Sequence, residues 1–116
     1  MPICDVAVHG DQVIVLTTDH HAEGSGLRLL DLDGRFLRTI AAGEFTDPQA
    51  VAASHGRAFV VDDDDLGKVL HVIDLQSGDI LQSVRFALQE QDEVSAICVD
   101  GDEIYTRILV GSVRCV

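Results

Sequence analysis

Short runs of apolar residues, separated by glycines and polar turn residues, follow one another along the whole chain. Runs such as VIVL (13–16) and AFVV (58–61) are much shorter than the roughly 20 residues of a membrane-spanning helix. No segment keeps the three-to-four-residue apolar spacing of an amphipathic helix. Runs that do not alternate between apolar and polar are typical of strands covered on both faces. The pattern predicts an all-β chain.

The pattern also repeats. Three stretches match when Val6, Val51 and Ile97 are aligned, namely VAVHGDQVIVL, VAASHGRAFVV (with one inserted residue) and ICVDGDEIYTR. Their glycines Gly10, Gly56 and Gly101 then coincide. Each of these glycines separates two apolar runs, as expected of a hairpin turn, because glycine accepts a positive φ at little cost.

The second half of the unit is duplicated as well. The stretch LRLLDLDGRFLRTI (27–40) matches LHVIDLQSGDILQSV (70–84), again with one inserted residue. Asp31 then coincides with Asp74. Both precede a turn, where an aspartate side chain can accept hydrogen bonds from nearby backbone N–H groups. The repeat length is about 45 residues.

Each unit is predicted to hold four strands. The predicted strands are 3–9, 12–17, 26–32, 35–40, 49–54, 57–62, 68–75, 79–86, 94–99, 102–108 and 112–116. Four short antiparallel strands at this period are typical of a β-propeller blade. The expected fold is therefore all-β, a single propeller fragment over 1–116 with an incomplete ring. Its blades are expected at about 3–44 and 45–93, with a partial third blade at about 94–116.

One segment carries a family resemblance. The stretch from Gly43 to Val84 resembles the repeats of NHL-type and related six-bladed propellers, with a Gly and Pro lead-in, an apolar strand, a Gly turn and an Asp-turn-Gly ending. The WD signature is absent because the chain has no Trp, and no kelch double glycine occurs. The resemblance implies a propeller with more blades than the two and three quarters found here.

An incomplete ring leaves sheet faces and strand edges bare, and such edges pair with other chains. Three arrangements would cover them: a longer protein of which this chain is a fragment, an oligomer that completes the ring, or an open stack sheltered by a partner. We favour a fragment or a ring completed by a protein partner or by self-association. Three copies with two blades each would make six, although the partial third blade complicates that count.

The charge balance narrows the class of partner. The chain has 20 Asp and Glu against 8 Lys and Arg, a formal net charge of −12. Such a surface repels a phosphate backbone, so nucleic-acid binding is not expected. A membrane partner is not expected either, because the apolar runs are too short to span a bilayer. The odd count of three cysteines and the absence of a signal-like N-terminus predict reduced thiols in a cytoplasmic protein.

Two polar clusters are candidates for metal binding, and both are predicted in loops between the second and third strands of a blade. The first contains Asp19, His20, His21 and Glu23, a donor set that suits zinc, nickel or copper. The second contains Asp62, Asp63, Asp64 and Asp65, whose oxygens suit calcium. The alternative interpretation is a solvated loop in each case, because neighbouring histidines in a strand point apart and adjacent carboxylates repel one another.

Catalysis has little support in the sequence, since neither G-x-S-x-G nor a Gly-rich phosphate loop occurs. We therefore expect no catalytic residues, no cofactor-binding residues and no cofactor other than a possible Ca or Zn ion. The favoured function is a non-enzymatic protein–protein interaction scaffold or assembly subunit. The alternative, implied by the resemblance, is a fragment of a metal-dependent hydrolase or lyase with an ion on the propeller axis, for which Asp5 and Asp100 are the candidate inner-strand carboxylates.

Overall fold

The computed structural model describes residues 3–18, 25–64, 66–86, 92–100, 103–110 and 113–114, with side chains up to residue 86. All regular structure in these ranges is β-strand, as the apolar pattern predicts. The strands are β1 (Ile3–His9), β2 (Gln12–Thr17), β3 (Gly26–Asp31), β4 (Phe36–Ile40), β5 (Pro48–Ser54), β6 (Arg57–Asp64), β7 (Gly67–Asp74), β8 (Ile80–Arg85), β9 (Asp92–Asp100), β10 (Glu103–Val110) and β11 (Val113–Arg114). No helix capable of crossing a membrane is found among the described residues.

The strands form three antiparallel sheets. The first sheet has the order β1-β2-β3-β4, the second β5-β6-β7-β8, and the third β11-β10-β9. Within each sheet of the described residues, strands that are consecutive in sequence pair with each other, and the two four-stranded sheets stay open rather than closing on themselves. The duplicated pattern therefore corresponds to two four-stranded antiparallel units.

The two four-stranded sheets share their irregularities as well as their order. Each first strand shifts register at its start, between Ile3 and Asp5 in β1 and between Pro48 and Ala50 in β5. Beyond the shift, Val6 pairs with Val15, and Val51 pairs with Val60. A second shift, between β3 and β4, recurs at the equivalent point between β7 and β8.

The equal hairpins correct one detail of the sequence alignment. His9 pairs with Gln12 and Ser54 pairs with Arg57, so both loops have two residues and no insertion separates the hairpins. Gly10 consequently corresponds to His55, not to Gly56. Gly10 has φ 60° and His55 has φ 53°, so both first loop positions lie in the left-handed region. Alignment by glycine was wrong because a histidine here adopts the conformation that glycine prefers.

The main core lies between the first and second sheets. Because side chains alternate across a strand, one face of the first sheet contributes Ile14, Leu16, Leu27, Leu29 and Ile40. The facing residues of the second sheet are Val51, Ala58, Val60 and Ile73, and Phe45 and Leu75 complete the cluster. All of these side chains are buried.

The second sheet carries apolar residues on its other face too. Ala50, Ala52, Val61 and Leu70 form a separate buried cluster, with Phe59 and Phe86 packed against it. Strand β5 contacts β1 on one side and β9 on the other. The second sheet is thus covered on both faces, which explains its continuous apolar runs.

The first sheet differs, because the face turned away from the second sheet is partly bare. We call this surface the open face. Cross-strand pairing places on it Val6, Val8, Val13, Val15, Arg28, Leu30, Phe36 and Thr39. Val8 is 63% exposed, Phe36 58% and Val6 48%. The equivalent face of the second sheet, which includes Val51 and Ala58, is buried against the first sheet.

Candidate functional site

A buried carboxylate anchors the connection between the two four-stranded sheets. Asp62 lies in β6 and is only 2% exposed. Its Oδ1 accepts the backbone N–H of Asp47 at 2.8 Å, and both oxygens lie within 3.1 Å of the Thr46 nitrogen. Buried carboxylates are retained where hydrogen-bond donors replace water. Asp62 therefore fixes the segment that leads from β4 into β5.

His71 extends this network across the second sheet. Its Nε2 lies 3.5 Å from Asp62 Oδ2, its Nδ1 lies 2.7 Å from Ser83 Oγ, and its ring stacks 5.7 Å from Phe45 in a tilted arrangement. With the Nε2 proton directed at Asp62, Nδ1 accepts the Ser83 hydroxyl. Burial opposes ionisation of Asp62, but the hydrogen bonds from His71, Thr46 and Asp47 outweigh it and lower its pKa.

The order Ser83, His71, Asp62 is formally that of a nucleophile, a base and an orienting acid. The contacts of Asp62 favour a different role. Its oxygens are committed to two backbone N–H groups as well as to His71, and those donors belong to the segment between the sheets. We interpret the network as a structural tie. It does not recur in the first sheet, where Thr17, Arg28 and Thr39 occupy the equivalent positions.

The remaining described aspartates of the acidic run also pair within the sheet. Lys68 Nζ lies 2.8 Å from Asp63 Oδ2. Arg85 binds Asp64 through both guanidinium nitrogens, each at 2.9 Å. This bidentate contact is the main cause that lowers the pKa of Asp64 to about 2, and it raises the pKa of Arg85.

The acidic run was expected in a loop, and for three of its members this was wrong. Asp62, Asp63 and Asp64 belong to β6 and pair with Val69, Lys68 and Gly67 of β7. The strand continues through the like charges because each carboxylate has a donor or cation beside it. The three side chains alternate between the two faces of the sheet instead of converging on one point.

The structure describes only some of the residues that were predicted to bind a metal. Asp19, His20, His21, Glu23 and Asp65 lie outside the described residues, so the predicted proximity of the two clusters stays a prediction. Among the residues that the structure does describe, no three His, Cys, Asp or Glu side chains come together as a metal site requires. A Ca or Zn site at either cluster likewise stays a prediction.

Three further side chains make polar contacts that join the first two sheets along their seam. Asp5 Oδ2 accepts the Val51 N–H at 3.0 Å, and His9 Nε2 accepts the Gly56 N–H at 3.0 Å. Arg38, on β4, donates to the carbonyl oxygens of Leu75 and Gln76. Asp5, a candidate inner-strand metal ligand by sequence, is thus bound to backbone of the neighbouring sheet.

The seam opens into a cleft at the hairpin end of the two sheets. Its volume is about 540 Å³. It is lined by His9, Gln12, Arg38, His55, Gly56, Arg57, Asp74, Leu75 and Gln76. Sequence reasoning missed this site, because the cleft combines residues from five strands and two turns that lie far apart in the chain. The only available signal was that His9 and His55 occupy equivalent hairpins, and it does not extend to Arg38 or Arg57.

Neither the models of known protein families nor the curated proteins include a match to this chain.

Proposed function

We propose that this chain is a propeller-type repeat module of the NHL-like kind whose function is protein–protein association, as a scaffold or assembly subunit. The observation that carries the proposal is the open face of the first sheet. Its equivalents in the second sheet are buried by a neighbouring sheet, whereas Val6, Val8 and Phe36 of the open face are exposed. A repeat unit is stable when neighbours cover both of its faces.

The occupant we propose for the open face is a sheet from a second copy of the chain. The second sheet stands between the first and the third, with β5 contacting both β1 and β9. The same stacking step, continued between copies, would bring the third sheet of one copy onto the open face of another. Such head-to-tail contacts use two different surfaces and close into rings when the rotation allows.

The apolar character of the open face supports association over exposure to water. When another sheet covers an apolar sheet face, the exposed side chains lose contact with water. This burial stabilises the association by about 25 cal/mol per Å² of apolar surface removed from water. Val6 pairs with Val15, Val8 with Val13, and Leu30 with Phe36, so these apolar groups are contiguous.

A pair of matched variants tests the proposal. Val8→Lys places a charge on the open face, and Leu66→Lys places the same charge at a turn residue that is 79% exposed. We expect the native mass of Val8→Lys to fall towards that of a single chain, while Leu66→Lys keeps the mass of the unmodified protein. Circular dichroism verifies that both remain folded. Equal masses for both variants and the unmodified protein would contradict the use of the open face. A mass that rises only with a different protein added would assign the face to another partner.

A further inference from the structure

The open face of the first sheet carries one charged side chain, that of Arg28. Strand pairing places Arg28 of β3 between Val15 of β2 and Thr39 of β4, on the face turned away from the second sheet, and its side chain is exposed. The other seven residues that define the open face are uncharged, and six of them are apolar. The local charge of the open face is therefore opposite to the formal net charge of −12.

The guanidinium of Arg28 has not been matched by an acceptor in the described part of the chain. No hydrogen bond or ion pair joins its side chain to another described residue. A guanidinium presents five N–H donors, and water can serve them only while the open face is exposed. Covering the open face would remove that water from Arg28.

The second sheet shows how a polar side chain at this position is accommodated under a covering sheet. His71 occupies there the position that Arg28 occupies in the first sheet, and the His71 side chain is only 13% exposed. The carboxylate beside it comes from its own sheet, with 3.5 Å between His71 Nε2 and Asp62 Oδ2. Thr17 takes the place of Asp62 in the first sheet. An acceptor for Arg28 must therefore come from the surface that covers the open face.

The physical requirement for such an acceptor is strict. A charge buried in an apolar contact without a partner opposes association, because the lost hydration is not replaced. A carboxylate restores both charge balance and hydrogen bonds, and it can bind a guanidinium through two parallel contacts, as Asp64 binds Arg85 in the second sheet. A second copy of the chain offers 20 Asp and Glu against 8 Lys and Arg. A surface that places a cation opposite Arg28 would be repelled.

From these relationships we infer that Arg28 selects the surface that covers the open face, by pairing with a carboxylate of a second copy of the chain. The inference rests on the proposed self-association through the open face and names the chemistry of the partner surface. Val6, Val8 and Phe36 supply apolar area to the contact. Arg28 is the specificity-determining residue, because only a surface with an acceptor at the right point can cover it.

Replacing Arg28 with leucine tests the inference by the sign of the effect. In Arg28→Leu the carboxylate of the covering copy is buried without its partner, so we expect the dissociation constant measured by sedimentation equilibrium to rise at least ~10-fold. Without such a carboxylate, the same substitution would remove an unpaired charge and add apolar area, and the dissociation constant would fall. A smaller rise, no change or a fall would overturn the inference.

The matched control is Arg35→Leu, which makes the same chemical change at an exposed residue just before β4 and outside the open face. We expect its dissociation constant to stay within ~2-fold of that of the unmodified protein, as for a distant, screened charge. Circular dichroism verifies that both leucine variants remain folded. Equal weakening in both variants would show a general effect of lost positive charge and would overturn the role of Arg28.

The variant Val8→Lys distinguishes failure of this inference from failure of the proposed association. If Val8→Lys and the unmodified protein have equal masses, association does not use the open face, and both proposals are overturned. If Val8→Lys dissociates while Arg28→Leu associates as well as the unmodified protein or more tightly, the open face is used and only the role of Arg28 is overturned.

Discussion

The carboxylate of Asp5 in β1 accepts the backbone N–H of Val51 in β5, with 3.0 Å between oxygen and nitrogen. The same side chain accepts its neighbour's N–H, from Val6, at 2.9 Å. One residue thus connects the first strands of the two four-stranded sheets. The Asp5 side chain provides a polar link between sheets whose main contact is apolar.

Replacing Asp5 tests this link. Asp5→Ala leaves the N–H of Val51, a buried residue, without its acceptor, so we expect a loss of about 1–3 kcal/mol in unfolding free energy. Urea denaturation followed by circular dichroism measures the loss. Asp33→Ala, at an exposed turn position, is the control and should change stability by less than about 0.5 kcal/mol. Equal effects of the two substitutions would argue that Asp5 is an ordinary surface carboxylate.

Ionisation of Asp62 makes the unfolding free energy depend on pH in the acidic range. Its folded-state pKa lies below the usual value of 3.8, so the unfolded chain takes up this proton first as the pH falls. The stabilising contribution is therefore fully present above about pH 4 and is lost as the pH drops through the folded-state pKa. Asp64, with a pKa of about 2, acts in the same direction at lower pH.

Asp62→Asn is expected to lower the unfolding free energy by about 1–3 kcal/mol at neutral pH, because an amide cannot serve all of the N–H donors around it. The difference from the unmodified protein should shrink below pH 4. Denaturation curves at pH 7, 4 and 3 measure it, with Asp33→Asn as the control. A difference that stays constant over this range would refute an ionised Asp62 as the origin of the effect.

The core between the first two sheets should be sensitive to lost volume. Leu29 is fully buried in it, whereas Leu32 in the following turn is exposed. Leu29→Ala is expected to cost about 2–5 kcal/mol and Leu32→Ala less than about 0.5 kcal/mol. Thermal or urea unfolding of the two variants measures the contrast. Similar costs at both positions would mean that the two sheets do not pack face to face.

Substitutions at Gly10, in the turn between β1 and β2, test backbone strain without steric crowding. Gly10 has φ 60°, and a Cβ placed on it would meet nothing within 4 Å. Gly10→Val is therefore expected to destabilise the chain by about 1–2 kcal/mol through the left-handed backbone alone. Gly10→Asn, which tolerates this conformation, should cost less. Equal unfolding free energies for both variants would indicate that the loop rearranges.

The strands could be predicted from the sequence because their causes are local. Apolar runs and turn glycines place β1 and β2 at their observed bounds, and the other strands begin within two residues of the predicted positions. The hairpin register was less accessible, since His55 occupies a left-handed position that a glycine holds in the first sheet.

The polar contacts were not predictable, because they depend on partners distant in the chain. Asp64 continues a strand because Arg85, 21 residues later, lies beside it across β7. Arg38 reaches the carbonyl of Leu75 only once the two sheets have stacked. The set of residues lining the cleft at the hairpin end of the two sheets also depends on this stacking, so no single stretch of sequence could predict it.

Sedimentation equilibrium of the unmodified chain over a wide range of concentrations tests the central claim most directly. That claim is that another sheet covers the open face of the first sheet. We expect a mass above the 12.5 kDa of one chain, falling towards that value on dilution. A folded protein that stays at 12.5 kDa at every concentration would contradict self-association through the open face.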